Sequence, residues 1–336
     1  MKITSGRLLG AGFVLLAVLV FVVVWIFPSD QIIIYPDTAR PVAPLVTVAG
    51  GHDPTKGAVY YVDVLERRAT IVERIFGPLT SGADMYPANE VNGPGVSDSQ
   101  ARQIAEEDMR VSQVTAASVA LRALGRHVVT KPTGIRVQTV FIDAPAAGKL
   151  ESDDVIVAAN GHPVQTIAEL HAVMNKVKVG QVVSFTVHRG AKTLDVHIKT
   201  IAVKQEPNRA VVGIDISQAM QIRLPIKVRI DAGQVGGPSA GLAFALEVME
   251  ELGRDVIHGH RIVATGEIFA DGSIGPVGGI KQKVLGARKA GVDVFLVPAG
   301  DNAQEARKYA HGLRIVAVSN FQQALQKLAT LPATAG

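Results

Sequence analysis

The residues that could do chemistry gather in the last third of the chain. Gly236-Gly237-Pro238-Ser239-Ala240-Gly241 sets one serine among glycines and a proline, directly before the apolar run Leu242-Ala243-Phe244-Ala245-Leu246. A serine at a helix start ordinarily caps the helix. It can also be a nucleophile. The first turn of a helix carries free N–H groups and the positive end of the helix dipole, which suit an oxyanion formed in acyl transfer. The flanking segment, Gly237 and Pro238 included, lets a substrate backbone approach closely. Those two residues are therefore candidate substrate contacts beside Ser239.

A hydroxyl needs a base to take its proton. His258 and His260 in "DVIHGHRIVATGEI", with Asp255 or Asp271 to orient the ring, would give a Ser-His-Asp esterase. Gly237-Pro238-Ser239-Ala240-Gly241 fits the letters of the G-x-S-x-G elbow. That elbow follows its strand directly, whereas Gln234-Val235-Gly236 intervene here after "IKVRIDAG". The second source of a base is "DGSIGPVGGIKQKVLGARKAGV". Two glycines lead into a helix with Lys281 in its first turn. There the helix dipole, and the apolar Val277, Ile280 and Val284, favour the neutral amine that a general base must be. Lys283 and Lys289 share the helix, and physical reasoning alone leaves the choice among the three open. The bland alternative for each is a solvated surface lysine.

The elements around these residues fit a multidomain chain. The 336 residues are 48% hydrophobic and 19% charged, enough for two or three domains. Net charge is +4 with the positive residues scattered, so no nucleic-acid footprint and no nucleic-acid partner is expected. There is no cysteine, which excludes disulfides, Cys-ligated zinc and a thiol nucleophile. No metal or cofactor is expected.

From Leu8 to Phe27 there is no charged residue, a length that spans a bilayer core of about 30 Å. Lys2 and Arg7 precede it, and Asp30 and Asp37 follow. The expectation is one N-terminal transmembrane helix, with the tail in the cytoplasm and the remainder extracytoplasmic. A cleaved signal peptide has a shorter apolar region. Residues 31–58 read as a linker into the strand "AVYYVDVL". Ser97 and Gln100 form a capping box for a helix ending near Leu124 and Gly125.

Residues 130–203 read as a mostly-β unit: strand "TGIRVQTVFI", turn "APAAG", strand "DDVIVAANG", a helix capped by Thr166 and Glu169, then the hairpin "VVSFTVHRG"–"KTLDVHIKTI". This order resembles a PDZ domain of the bacterial protease type. The resemblance implies that N–H groups of Thr133, Gly134 and Ile135 take a peptide's C-terminal carboxylate. The peptide would add as a strand beside the helix. Where Asp153 stands the family usually has glycine. A spacer with a closed groove is the alternative.

Finally, "GGPSAGLAFAL", "VATGEIFADGSIGPVGGIKQK" and "AGVDVFLVPAGDN" resemble, in order, the proteolytic domain of Lon-type proteases, which use a Ser–Lys dyad. The resemblance makes Ser239 the nucleophile, Lys281 rather than Lys283 the dyad lysine, and Thr265 a hydrogen-bond partner of that lysine. It assigns Glu267 no role. ATP-driven members carry an acid where this chain has Gly236. No G-x-x-x-x-G-K-[ST] occurs in these residues.

Together, anchor, PDZ-like module and Lon-type domain resemble bacterial membrane-bound, PDZ-containing Lon-like proteases. That implies an α+β fold, protein or peptide substrates that are unfolded or loosely folded, ATP-independent cleavage, and a homo-oligomeric ring. The expected divisions are 1–28 tail and anchor, 29–128 linker and N-terminal part of the catalytic domain, 129–205 PDZ-like, and 206–336 Lon-type. The PDZ-like module would be inserted into the catalytic domain between about Arg126 and Pro207. The competing reading is a silent, membrane-anchored peptide-binding or scaffold protein.

Overall fold

Strands Arg261–Ala264 and Val294–Pro298 ("RIVA", "VFLVP") are almost wholly apolar, as strands buried on both faces are. They form the centre of a five-stranded sheet in the computed structural model, which describes residues 25–52, 57–93, 95–141, 143–203 and 206–332. Strand order is Arg40–Pro41, Ala58–Tyr61, Arg261–Ala264, Val294–Pro298, Arg314–Val318, parallel except for the first pair. Two of these strands precede the PDZ-like residues and three follow them.

Alternation along the central strands divides the core into two layers. Ile262, Ala264, Val294 and Leu296 face a layer holding the long helix Asp98–Ala123, the helix Gly241–Glu251 and the helix Phe321–Ala329. Val263, Phe295 and Val297 face the other layer, with Ile280, Val284 and Ala287 of the helix Ile280–Lys289 and Ala303 and Ala306 of Asp301–Tyr309. The helix Gly241–Glu251 is buried along its whole length: its first half is apolar all round, and Glu247, Glu250 and Glu251 are buried with it. This part is an α/β layer arrangement, so the chain as a whole is mixed α/β rather than simply α+β.

The linker expectation for residues 31–58 fails. Pro28–Pro36 is the middle strand of an antiparallel sheet, between Val64–Thr70 and Asp84–Pro87, over the small core of Ile33, Ala69 and Ala83. Prolines mark its two ends and mask the strand signal of Ile32-Ile33-Ile34. "AVYYVDVL" accordingly divides at Val62-Asp63 between two sheets. The expected membrane-crossing stretch lies outside the described residues, apart from Trp25, Ile26 and Phe27. Among the described residues no helix is long and apolar enough to cross a membrane.

The PDZ-like unit has its own core, including Ile135, Ile156, Leu170, Phe185 and Ile198. Its turns follow the sequence: Asn160-Gly161 joins Val155–Ala159 to His162–Pro163, and Gly190-Ala191 joins Val182–Arg189 to Lys192–Lys199. Asp153 occupies the left-handed region at φ 72°, the conformation expected of glycine there. One strand was not foreseen. Ile214–Arg223 pairs antiparallel with Val129–Val140 along its full length and closes the sheet at that edge. The PDZ-like fold thus draws on residues beyond the expected limit at 205.

Candidate active site

Ser239 lies in a short 3-10 turn, Pro238–Ala240, that leads into the helix Gly241–Glu251. The loop is fixed against the long helix: Gly237 N–H donates to the Ala105 carbonyl at 2.7 Å, and Ser112 Oγ donates to the Pro238 carbonyl at 3.0 Å. Those bonds use the Gly237 N–H and the Pro238 carbonyl to position the serine loop. Two glycines permit the fit. A Cβ on Gly236 would lie 2.9 Å from Ala105 Cβ, which leaves no room for an acid at that position. One on Gly241 would lie 2.7 Å from Ser112 Oγ and 2.8 Å from Ile268 Cγ2.

The lysine comes from the opposite layer of the sheet. Lys283 Nζ lies 2.9 Å from Ser239 Oγ and 3.4 Å from Thr265 Oγ1. Thr265 directly follows the strand Arg261–Ala264, so the three residues meet at the carboxyl end of a central parallel strand, where open α/β sheets place their sites. Thr265 is fully buried. Its hydroxyl donates to the Ser239 carbonyl at 3.2 Å, its N–H donates to the Leu296 carbonyl, and Gly266 N–H donates to the Ser239 carbonyl at 2.8 Å. Thr265 therefore touches both Ser239 and Lys283, where the expected lysine partner was Lys281.

Lys283 is 3% exposed, and burial lowers its pKa from 10.5 to about 8. The carboxylates of Asp63 and Glu66 pull it partly back. Burial in turn holds the Asp63 carboxyl above its usual range. The result is a lysine far closer to its free-amine form near neutral pH than a solvated one, in hydrogen-bond reach of a serine hydroxyl.

The structure corrects the assignment of Lys281. Its Nζ donates to Asp84 Oδ1 at 2.7 Å, and this bond raises its pKa, the reverse of what a general base needs. Residues two apart on a helix point to opposite sides. Lys281 faces the Asp84–Pro87 strand, while Lys283 shares the inward stripe of Ile280, Val284 and Ala287. That i, i+3, i+4, i+7 pattern was the signal in the sequence that singled out Lys283.

The histidines do not assemble a triad. Exposed His258 approaches Asp255 at 3.8 Å, and His260 Nε2 is 2.8 Å from the Pro332 carbonyl. Asp271 bonds Ser273. Glu267, next to the site in sequence, has its carboxyl raised by burial and then by Asp108. Among the described residues no cluster of acids and histidines suits a metal ion.

The edge expected to take a peptide in the PDZ-like unit is filled by a strand of the chain itself. Gly134 and Ile135 are inside strand Val129–Val140, with Ile214–Arg223 on one side and Val155–Ala159 on the other, and Thr133 is the unpaired residue of a bulge between them. Gly134 and Ile135 thus have their edge toward Ile214–Arg223 already paired. The outer edge is that of Ile214–Arg223, which carries no further strand among the described residues. Between its start and the helix Ile167–Met174 lies a cavity of about 1100 Å³, lined by Leu170, His171, Met174, Val212 and Ile214 among others. Gln218 closes the far end, donating to the Gly134 and Gln165 carbonyls and accepting from Ile167 N–H. A glycine set among aliphatics before an alternating strand, "VVGIDIS", was the available sequence signal.

Residues 119–200 match the PDZ domain family, and residues 194–330 match the family of the Lon protease (S16) C-terminal proteolytic domain. Lon protease 2 of Bacillus subtilis is 32% identical over 100 residues, covering 30% of this chain and 18% of that protein. Lon protease of Roseiflexus castenholzii is 32% identical over 140 residues, covering 38% of this chain and 17% of that protein. The chain thus spans less than a fifth of the length of these relatives. The PDZ domain of the SdrC-like protein from Listeria innocua aligns at 29% identity over 26% of this chain and 96% of its own, with a TM-score of 0.24. The chain carries a PDZ domain and, C-terminal to it, a Lon-type (S16) proteolytic domain of the serine-peptidase class.

Proposed function

We propose that this protein is a membrane-anchored serine endopeptidase that hydrolyses unfolded or loosely folded polypeptides without ATP. The observation that carries the reading is the buried Lys283 amine 2.9 Å from Ser239 Oγ. In its free-base form Lys283 accepts the Ser239 proton as Oγ attacks the scissile carbonyl carbon. Thr265 holds the lysine in register with the serine. N–H groups of the first helical turn after Gly237 stabilise the oxyanion. The ammonium then returns the proton to the departing amine, and water hydrolyses the acyl-serine ester with Lys283 again as base.

Two features suit an extended substrate. Among the described residues, strand Val64–Thr70 pairs only with Pro28–Pro36, leaving its other edge without a strand, and it begins beside Asp63 at the lysine site. An unfolded chain can pair there as an added strand, which a folded one cannot. The PDZ groove between Ile214–Arg223 and Ile167–Met174 selects substrates by their C-termini, with Leu170 and Met174 receiving the last side chain. Independence from ATP is supported by the lack of a P-loop motif in these residues, and anchoring by the uncharged stretch ending at Phe27. The test is cleavage of an unfolded protein by the full chain in detergent without ATP. Activity lost on Ser239→Ala supports the reading; activity retained in that variant, or absent from the parent, refutes it.

A further inference from the structure

Ile75, Phe76 and Leu79 are 64%, 77% and 59% exposed, in a chain whose other large apolar side chains are mostly buried. They lie on and just beyond the short helix Ile71–Phe76. This turn is held firmly. Thr70 and Glu73 form a reciprocal capping box, and Arg67 grips the Glu73 carboxylate with two bonds of 2.7 and 2.9 Å, holding that carboxyl down at about 2. The polar side of the segment is thus spent on fixing the turn while its bulkiest apolar groups are held out toward solvent. A compact apolar patch displayed in this way marks a contact surface.

The position of the patch indicates what covers it. Ile71 N–H donates to the Phe27 carbonyl at 3.2 Å, and Pro28 pairs with Thr70. Phe27 is the last residue of the twenty-residue uncharged stretch, and Trp25, Ile26 and Phe27 are themselves exposed. The patch therefore adjoins the point where the anchor would leave the bilayer. The basic residues around it are neutralised within the chain, Arg67 by Glu73, Arg74 by Asp30 and Arg68 by Asp98. Contact there needs no anionic partner.

We propose that Ile75, Phe76 and Leu79 insert into the membrane interface next to the anchor, as a second, monotopic attachment that sets the orientation of the catalytic domain on the bilayer. Large apolar and aromatic side chains on a short turn suit the boundary between headgroups and acyl chains. This inference rests on the anchor reading above.

The test uses the full chain in vesicles of phosphatidylcholine brominated near the headgroup end of the acyl chains. Trp25 is the sole tryptophan, so the parent reports on the anchor. A Trp25→Phe, Phe76→Trp variant, with Trp25→Phe, Ile75→Trp as a second site, reports on the patch; retained cleavage of an unfolded protein certifies the fold. Loss of fluorescence at position 76 or 75 comparable to that of Trp25 supports the proposal. Quenching of Trp25 without quenching at either patch site overturns it and leaves the anchor standing. Protection of the patch sites from iodide without bromine quenching also overturns it, since a second copy would then be the cover. Quenching at neither Trp25 nor the patch overturns both readings.

Discussion

Lys283 Nζ sits 2.9 Å from Ser239 Oγ, while Lys281, two residues earlier on the same helix, is bound to Asp84. One helix presents one lysine to the serine and the other to a carboxylate. Burial lowers the first pKa and ion pairing raises the second.

The first consequence is a pH dependence of cleavage. Lys283 must be a free amine to accept the Ser239 proton, and its pKa is about 8. The free-enzyme kcat/KM is expected to rise with pH through a single ionisation near 8 and then level off. A profile governed by a group titrating near 6.5 would point to a histidine instead.

The same group leaves a mark on stability. Its folded pKa lies below that of the unfolded chain, so between about 8 and 10.5 the unfolded state binds more protons and stability rises with pH. Below that window the full cost of burying an ammonium remains, roughly 3 kcal/mol at 1.36 kcal/mol per pH unit. Lys283→Met should therefore be inactive yet more stable than the parent at pH 7, with the difference fading toward pH 10.5. Thermal denaturation at several pH values checks this; a pH-independent difference would contradict it.

Gly241 is a packing constraint. A methyl group there meets Ser112 Oγ and Ile268, so Gly241→Ala is expected to destabilise by about 1–3 kcal/mol, as overpacking does. It should also slow cleavage by shifting Ser239. Ser112→Ala removes one of the crowding atoms, and the double variant should recover part of the loss in a denaturant titration. Additive losses would argue against this contact.

At the PDZ groove, Met174→Asp should abolish binding of C-terminal peptides to the full chain, because it places a charge in the cavity beside Ile167–Met174. Thr133→Pro, which removes an N–H group that the first-strand groove would use, should leave binding within about twofold, a change of under 0.5 kcal/mol. Fluorescence anisotropy of a labelled peptide gives both results. The opposite ranking would restore the first-strand groove.

Much of this architecture was legible in the sequence. Both capping boxes, at Ser97/Gln100 and Thr166/Glu169, form as expected, and the apolar run 242–246 after Ser239 is buried, as its composition implies. The C-terminal end at Gly125 is closed by Arg126 N–H donating to the Leu121 carbonyl. Ser239 and Thr265 come together from segments twenty-six residues apart. The choice between Lys281 and Lys283 failed because it was carried by a motif resemblance, whereas the helical stripe decides which side chain is desolvated. The groove was misplaced for a different reason. Strand Ile214–Arg223 pairs with Val129–Val140 across some eighty residues of chain, and local patterns do not report such long-range pairing.

The most direct measurement compares ATP-free cleavage of an unfolded protein by the parent chain, Lys283→Ala and Lys281→Ala at pH 8. Loss on the order of 10²–10⁴-fold in Lys283→Ala, the range for removing a general base, with Lys281→Ala close to the parent, is the expected result. Full activity in Lys283→Ala, or its loss in Lys281→Ala with the fold intact, would contradict the Ser239–Lys283 dyad.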